Sequence, residues 1–464
     1  MLLLPEKFIE ATREMLGQET YEHLAEALQK EIPISIRKNP QKKFLIPEEA
    51  ERVPWSTEGV YLKSRAAFTF DPLLHAGCYY VQEASSMFVE QAFKQTKIAP
   101  QRVLDLCAAP GGKSTLWRSI LPDESLLVCN EPMRQRASIL AENLAKWGHP
   151  NIVVTNAYPQ DFAALTGFFD IIAADVPCSG EGMFRKDKGA IDEWSAENVM
   201  VCAERQRQII HDVWPALREG GYLIYSTCTF NRMENEDNVL HICQELGAEP
   251  VEIPILKEWG IEGDTRGQGL PVYHFFPHRV KGEGFFLALL RKTTPTSNCA
   301  KLSKKTKSRE KPISGVATFA KWIREADQFS FFRFKENFVS AVRKDLYQDV
   351  LLLNSQVHTI SAGILLAEEK GKKMVPQQEL ACSTELAEDA FPKMELTYEQ
   401  AILYLRRESI VATEETPRGY VVVTYQGHPL GFLNNLGNRA NNLYPTEWRI
   451  RSSYSPEKPT ALDF

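Results

Sequence analysis

Between residues 76 and 293, short apolar runs alternate with longer helical stretches, and no other feature of the chain constrains its fold as much. The strand-like runs are Val103–Leu106, Ser125–Asn130, Ile152–Thr155, Ile171–Asp175, Tyr222–Ser226 and Phe285–Leu290. Helical stretches lie between them, notably Met133–Trp147 and Asn198–Arg218. Alternation of this kind predicts parallel βαβ units and a doubly wound sheet, an α/β class with a Rossmann-like core. The Gly220-Gly221 pair is expected to end a helix and lead into the next strand.

The rest of the chain is organised around that core. Residues 1–75 begin with helical spacing of Phe8, Met15, Leu16, Tyr21, Leu24 and Leu28, then a strand at Ile34–Ile36 and an aromatic-rich stretch. Residues 294–315 carry Lys301, Lys304, Lys305, Lys307, Arg309 and Lys311, and read equally well as a solvated tether or as a strap on phosphates. A weaker unit follows at 316–390, in which the polar Glu368–Thr384 stretch is expected to be a surface excursion. Residues 391–464 close the chain with an Asn-rich tail. The units after residue 313 are expected to be separable from the core.

At 464 residues, with 44% hydrophobic and 25% charged side chains, the chain is long enough to bury several cores. No apolar run approaches a membrane span, and Met1–Pro5 lacks the length and basic flank of a signal segment, so a cytoplasmic protein is expected. The nine cysteines form no C-x-x-C pair and the nine histidines no ligand pattern, which argues against a metal site. A net charge of −6 excludes a general nucleic-acid binder, so any RNA surface is a local patch.

The first strand runs into Asp105-Leu106-Cys107-Ala108-Ala109-Pro110-Gly111-Gly112-Lys113. A P-loop would need glycine where Cys107 stands, and no G-x-G-x-x-G is present. A ligand without phosphates, S-adenosylmethionine (SAM), remains. Gly111 and Gly112 would let backbone approach its methionyl part, and the helix that follows favours its carboxylate. Glu131 ends the second strand, where a carboxylate can accept both ribose hydroxyls; the simpler role is a charge at a helix N-terminus.

Two further motifs end later strands. Asp175-Val176-Pro177-Cys178-Ser179-Gly180 and Tyr225-Ser226-Thr227-Cys228-Thr229 place thiols fifty residues apart. Carbon 5 of cytosine is too weak a nucleophile to take a methyl group unaided. Addition of a thiolate to carbon 6 makes it enamine-like, which is covalent catalysis. Asp175 stands where it can hydrogen-bond ring nitrogen 3. A lone cysteine is usually a small buried hydrophobe, the role expected of Cys107, Cys129, Cys202 and Cys243. Chemistry alone does not decide which of Cys178 and Cys228 attacks.

These motifs together resemble the Nop/Sun (NSUN) family of RNA 5-methylcytosine methyltransferases, and within it the bacterial branch that acts on 16S rRNA. The likeness extends through Tyr80-Val81-Gln82-Glu83-Ala84-Ser85-Ser86, Gly180-Glu181-Gly182-Met183-Phe184-Arg185-Lys186, Glu234-Asn235-Glu236 and Gly282-Glu283-Gly284-Phe285-Phe286, and covers almost the whole chain. It implies that Cys228 is the nucleophile and that Cys178 assists breakdown of the adduct. Lys113 resembles the family's active-site lysine, placed to pair with Asp175 or to polarise the base. Cofactor contacts implied are Cys107, Ala108, Ala109, Pro110, Gly111, Gly112, Lys113, Glu131, Arg136 and Asp175. Where the family offers an Asp to the adenine, this chain has Asn156-Ala157-Tyr158-Pro159-Gln160-Asp161; Asn156 is the expected contact, with Asp161 behind it. Arg185 and Lys186 are either phosphate contacts or a solvated charged loop. The tail resembles a PUA-like RNA-binding domain. The partner implied is 16S rRNA or the small ribosomal subunit, bound by a monomer. Competing expectations are a tRNA cytosine methyltransferase and a SAM-binding ribosome-assembly factor that does not methylate.

Overall fold

The computed structural model describes residues 3–464 apart from 297–298, 302–312, 314–315, 372, 455 and 457. Most of the basic tract, including Lys304, Lys305, Lys307, Arg309 and Lys311, lies outside the described residues.

The apolar runs become strands β1 (Arg102–Asp105), β2 (Leu126–Asn130), β3 (Ile152–Thr155), β4 (Phe169–Asp175), β5 (Leu217–Thr227), β6 (Val272–Phe275) and β7 (Phe285–Lys292), with β8 (Thr359–Ala362) added from the C-terminal half. Their order in one sheet is β6-β7-β5-β4-β1-β2-β3-β8, and Ala248–Pro250 pairs with β7 on the edge away from β5. The five strands β1–β5 are parallel, while β6, β7 and β8 run antiparallel to their neighbours. Alternate residues of a strand face opposite layers. Leu104, Val128, Val153, Ile172 and Leu223 join one core cluster, while Val103, Leu127, Cys129, Ile171 and Ile224 join the other. Both faces are covered, which is why these strands read as unbroken apolar runs. Helices α1 (Gly112–Ile120) and α2 (Arg134–Trp147) cover one face; α3 (Ala196–Val213) covers the other.

The Gly220-Gly221 pair does not end a helix. Helix α3 stops at Val213, and the glycines lie inside β5, where the register with β4 jumps from Phe169↔Leu217 to Ile171↔Tyr222. Gly220 has φ +70°, and a Cβ on Gly221 would lie 2.8 Å from the Asp170 carbonyl oxygen. The pair makes a bulge that only glycines fit. Strand β6 and the pairing of β8 had no counterpart among the expected strands.

An N-terminal antiparallel sheet, Gly59–Leu62, Ile34–Lys38 and Tyr79–Val81, leans on the cofactor side of the core. Its Arg37 is fully buried and donates to Thr115 Oγ1 (2.6 Å), Ser119 Oγ (3.0 Å) and the Gly112 carbonyl (3.3 Å), all on α1. The helices Glu6–Leu16 and Gln18–Ala27 pack Phe8, Leu24 and Leu28 onto Phe184, Trp194 and Phe230, next to the two cysteine loops.

The C-terminal half is not separable from the core. Strands Phe329–Phe334, Phe338–Arg343, Ile364–Lys370 and Lys373–Pro376 form their own sheet, yet Phe332, Phe334, Val350 and Leu353 share the main core cluster and β8 extends its sheet. The last sheet, Lys393–Glu395, Gly419–Tyr425, His428–Asn435 and Ala440–Asn442, shares a cluster with Ile36, Val60 and Leu62 of the N-terminal sheet. The Glu368–Thr384 stretch is a surface excursion only at its first turn. It continues into the helix Gln378–Cys382, whose Leu380 and Ala381 are fully buried, and the Thr384 amide donates to the Gly148 carbonyl at the end of α2 (2.9 Å). Polar residues mark the turn, but the Leu-Ala-Cys run wedges between units.

Candidate active site

The site lies at the carboxyl ends of β1, β2, β4 and β5, the crevice where open α/β sheets bind ligands. Behind β1 the chain turns through Cys107–Gly111 into α1. Gly111 has φ +115°, and its carbonyl begins the helix by accepting from the Thr115 amide (2.9 Å). A Cβ on Gly112 would meet the Tyr80 ring at 3.3 Å, so the turn stays slim against the N-terminal sheet. Ala108 is tied to β2 by donating its amide to the Asn130 carbonyl (2.8 Å). Asp105, fully buried, accepts from Ser114 Oγ (2.6 Å); burial pushes its carboxyl up to about 7.

Glu131 is almost wholly buried at the end of β2. One oxygen accepts from the Met133 amide (2.9 Å); the other pairs with Arg136 at 3.3 Å, and Arg136 also donates to the Ala109 carbonyl (3.0 Å). Asn156, at the end of β3, donates its side-chain amide to the Glu131 and Pro132 carbonyls (2.8 Å each). Its backbone amide reaches the His358 carbonyl of the C-terminal half (2.9 Å). Asp161 is exposed and caps the next turn by accepting from the Tyr158 amide (2.8 Å). The slim glycine turn, the buried carboxylate of Glu131 and the strand-end crevice fit a SAM-type ligand.

Asp175, at the end of β4, is held by two donors: Lys113 Nζ (2.8 Å) on one oxygen and Ser226 Oγ (2.8 Å) on the other. Burial opposes the charge on Lys113, but Asp175 outweighs it and holds the ammonium pKa above its usual value. The same ammonium lies 5.4 Å from the centre of the Phe285 ring. Beyond Asp175 the two thiols meet. Cys178 Sγ and Cys228 Sγ are 2.9 Å apart, and the Cys228 amide donates to Cys178 Sγ (3.3 Å). The hydrogen bond to Cys228, followed by burial, raises the Cys178 pKa far above the ordinary thiol range. Lys113, Asp175, Cys178 and Cys228 therefore form one cluster, although they come from three separate motifs.

Arg185 is not available to phosphate. Its side chain is 5% exposed and donates to Glu283 (2.8 Å) and to the Gly282 carbonyl (2.7 Å). Lys186 is exposed. The Glu83 carboxylate accepts from the amides of Ser85 (2.7 Å), Ser86 (2.8 Å) and Glu283 (2.8 Å), which joins two of the family-like motifs beneath the site. Sequence reasoning assigned no role to Glu181 and Glu234, which are buried directly behind the cysteine loops. The only signal was a carboxylate between two glycines and another just after the Cys228 motif. Among the described residues, no group of three His, Cys, Asp or Glu side chains is arranged to hold a metal ion.

Fold and site together define a Rossmann-like methyltransferase. Residues 96–291 match the family described as 16S rRNA methyltransferase RsmB/F, residues 4–84 the N-terminal domain of 16S rRNA methyltransferase RsmF, and residues 391–450 the methyltransferase RsmF PUA domain. The ribosomal RNA small subunit methyltransferase F of Serratia proteamaculans is 32% identical over 468 residues, 96% of each chain; that of Shigella dysenteriae is 34% identical, covering 85% of this chain and 84% of its own. The chain belongs to this RsmF family. Among solved structures, a methyltransferase homolog protein from Pyrococcus horikoshii aligns with TM-score 0.54 and 24% identity, over 63% of this chain and 96% of its own. NSun6 from the same organism, crystallised with SFG, aligns with TM-score 0.51 and 20% identity, over 62% and 98%. At these identities the two structures speak for the Nop/Sun fold alone.

Proposed function

We propose that the chain transfers the methyl group of SAM to carbon 5 of a cytidine in 16S rRNA, through a covalent adduct between Cys228 and the base. The observation that carries this reading is the contact of two strand-end thiols beside the Lys113–Asp175 pair. SAM would supply the methyl group as an electrophile. Glu131 would accept from its ribose hydroxyls, Asn156 would border the adenine, and the Cys107–Gly112 turn would face the methionyl end.

The target cytidine must leave its stack to reach the thiols. The Cys178 thiol, held far above the ordinary range by its contact with Cys228 and by burial, is the poorer attacking group of the two, and we assign the attack to Cys228. The Cys228 thiolate adds to carbon 6, and the electrons of the 5,6 double bond pass toward carbon 5 and ring nitrogen 3. As charge builds on nitrogen 3 it takes a proton from solvent, and the Asp175 carboxylate, held by Lys113 and Ser226, accepts the hydrogen bond of the new N–H. Carbon 5 then takes the methyl group. For release, water takes the proton from carbon 5, the 5,6 double bond re-forms as the Cys228 thiolate leaves carbon 6, and nitrogen 3 returns its proton to solvent. We assign the help in that release to Cys178.

We further propose that residues 1–75 face RNA, that 76–293 carry the chemistry, and that 316–390 and the PUA-like 391–464 position substrate. In that last unit Arg439, Arg449, Arg451, Asn438 and Asn441 are exposed and suit phosphates and 2′-hydroxyls, whereas Asn435 and Asn442 are occupied by backbone carbonyls. Bisulfite sequencing of rRNA and tRNA from cells with and without the gene tests the assignment. A 16S cytidine that loses protection only in the deletion supports it; a change confined to tRNA would move the substrate, and no change would leave a non-catalytic assembly factor.

A further inference from the structure

Two buried glutamates behind the cysteine loops are crossed. Glu181 follows Cys178 in the chain, yet its carboxylate serves the loop after Cys228. One oxygen accepts from Thr229 Oγ1 (2.7 Å) and from the amides of Phe230 (2.8 Å) and Asn231 (3.0 Å); the other accepts from Trp194 Nε1 (3.0 Å). Glu234 follows Cys228, yet serves the loop after Cys178. One oxygen accepts from the Ser179 amide (3.0 Å) and Gln206 Nε2 (2.7 Å), the other from Ser179 Oγ and Asn231 Nδ2 (2.8 Å). Gln206 also donates to the Pro177 carbonyl (3.0 Å), and Ser179 Oγ lies 3.0 Å from Thr229 Oγ1.

Each carboxylate thus accepts four donors, about as many as its lone pairs can serve. Their exposures are 2% for Glu181 and 0% for Glu234. Burying a carboxylate costs several kcal/mol unless it is well hydrogen-bonded, and an apolar pair of similar volume is often no less stable. Stability alone therefore does not account for two buried carboxyl groups here. Geometry does, because each loop is held by a residue from the other, and the space between them is closed. The Gly182 amide donates to the Cys228 carbonyl (2.9 Å), and a Cβ on Gly182 would lie 2.7 Å from the Gly284 Cα. Neither carboxylate bonds to a thiol, so neither is a catalytic group.

We propose that Glu181 and Glu234 are positioning residues that form a reciprocal clamp, in which Glu181 fixes Cys228 for attack and Glu234 fixes Cys178 for release. The proposal rests on the roles assigned above to the two thiols. In a Gln variant, one acceptor oxygen becomes an NH2 that faces donors, so the loop it held must shift while the chain volume hardly changes.

The test uses the full chain with SAM and a target RNA. Glu181→Gln is expected to slow adduct formation on 5-fluorocytidine RNA on the order of 100-fold, the scale of a small misplacement of a reacting atom. Its SAM affinity should match wild type. Glu234→Gln is expected to form the adduct at close to the normal rate but to accumulate it on ordinary RNA, as a band that survives a denaturing gel. Equal loss of addition and release in both variants, or wild-type kinetics in either, overturns the clamp. Cys228→Ala and Cys178→Ala run beside them: turnover by the first, or normal release by the second, overturns the thiol roles themselves. If both thiol variants behave as assigned and Glu234→Gln still releases normally, the clamp alone is wrong. Should a glutamate variant fail to fold, Thr229→Val and Ser179→Ala each remove one donor from one clamp and should give the same split at roughly 10-fold. Absence of that split overturns the proposal.

Discussion

Single side chains carry the sharpest consequences. Glu131 is a buried carboxylate whose oxygens meet the Met133 amide and Arg136, and the function proposed above gives it the ribose hydroxyls of SAM as further donors. Glu131→Ala should weaken SAM binding by about 1.5–3 kcal/mol, the range of charge-assisted hydrogen bonds, as read by calorimetry. Unchanged affinity would place the ribose elsewhere. Asp105 behaves differently because burial holds its pKa near 7, against 3.8 for an ordinary Asp. Between those values the folded chain binds a proton that the unfolded chain has lost, so stability falls as pH rises from about 4 to 7. The loss from this group is on the order of 4 kcal/mol at 1.36 kcal/mol per pKa unit. Urea unfolding of Asp105→Asn at pH 5 and pH 8 should show a smaller decline than wild type, and an identical decline would refute the assignment. At this scale the sequence was most legible where chemistry is local: Lys113, Asp175, Cys178 and Cys228 sit in short motifs at strand ends. It was least legible where a partner is remote. Arg185 looks like a free cation until Glu283, 98 residues away, is beside it. Arg37 reads as one charge in a strand, but its partners on α1 are some eighty residues on.

At the scale of elements, turns and strand ends decide where the chemistry can occur. The loop before β7 passes so close to the Cys178 loop that backbone touches backbone. A Cβ on Gly284 would sit 2.5 Å from the Gly182 Cα and 2.6 Å from the Phe230 ring. Gly284→Ala should therefore cost about 1–3 kcal/mol, the usual price of overpacking, and should lower kcat for methylation more than thermal stability alone explains. A variant with wild-type kcat would mean that the cysteine loops tolerate the shift. The alternating apolar runs revealed the parallel strands because burial on both faces leaves a continuous signal. The β5 bulge was misread because two glycines after a helix resemble a helix stop. Only the register against β4 distinguishes the two.

For the molecule as a whole, the C-terminal half was expected to be a detachable module, and the packing contradicts that. Removing residues 313–464 would strip β8 from the sheet edge and expose the core against which Phe332, Phe334, Val350 and Leu353 pack. Each buried apolar side chain contributes about 1.5–3 kcal/mol, and total stability of a domain is about 5–15 kcal/mol. The truncated chain should therefore unfold at much lower temperature and bind SAM more weakly, because the loop at Asn156 also loses its anchor at His358. Thermal unfolding and calorimetry would check this; wild-type values for both would restore the modular picture. Composition could not reveal the packing, since it arises from pairings between residues hundreds apart.

The central claim is thiol-dependent methylation at carbon 5 of cytidine. Its most direct test is mass spectrometry of nucleosides from 16S rRNA incubated with SAM and purified protein, wild type beside Cys228→Ala. Wild type should yield 5-methylcytidine and Cys228→Ala none. A methyl group on another atom, or 5-methylcytidine made equally by both proteins, would contradict it.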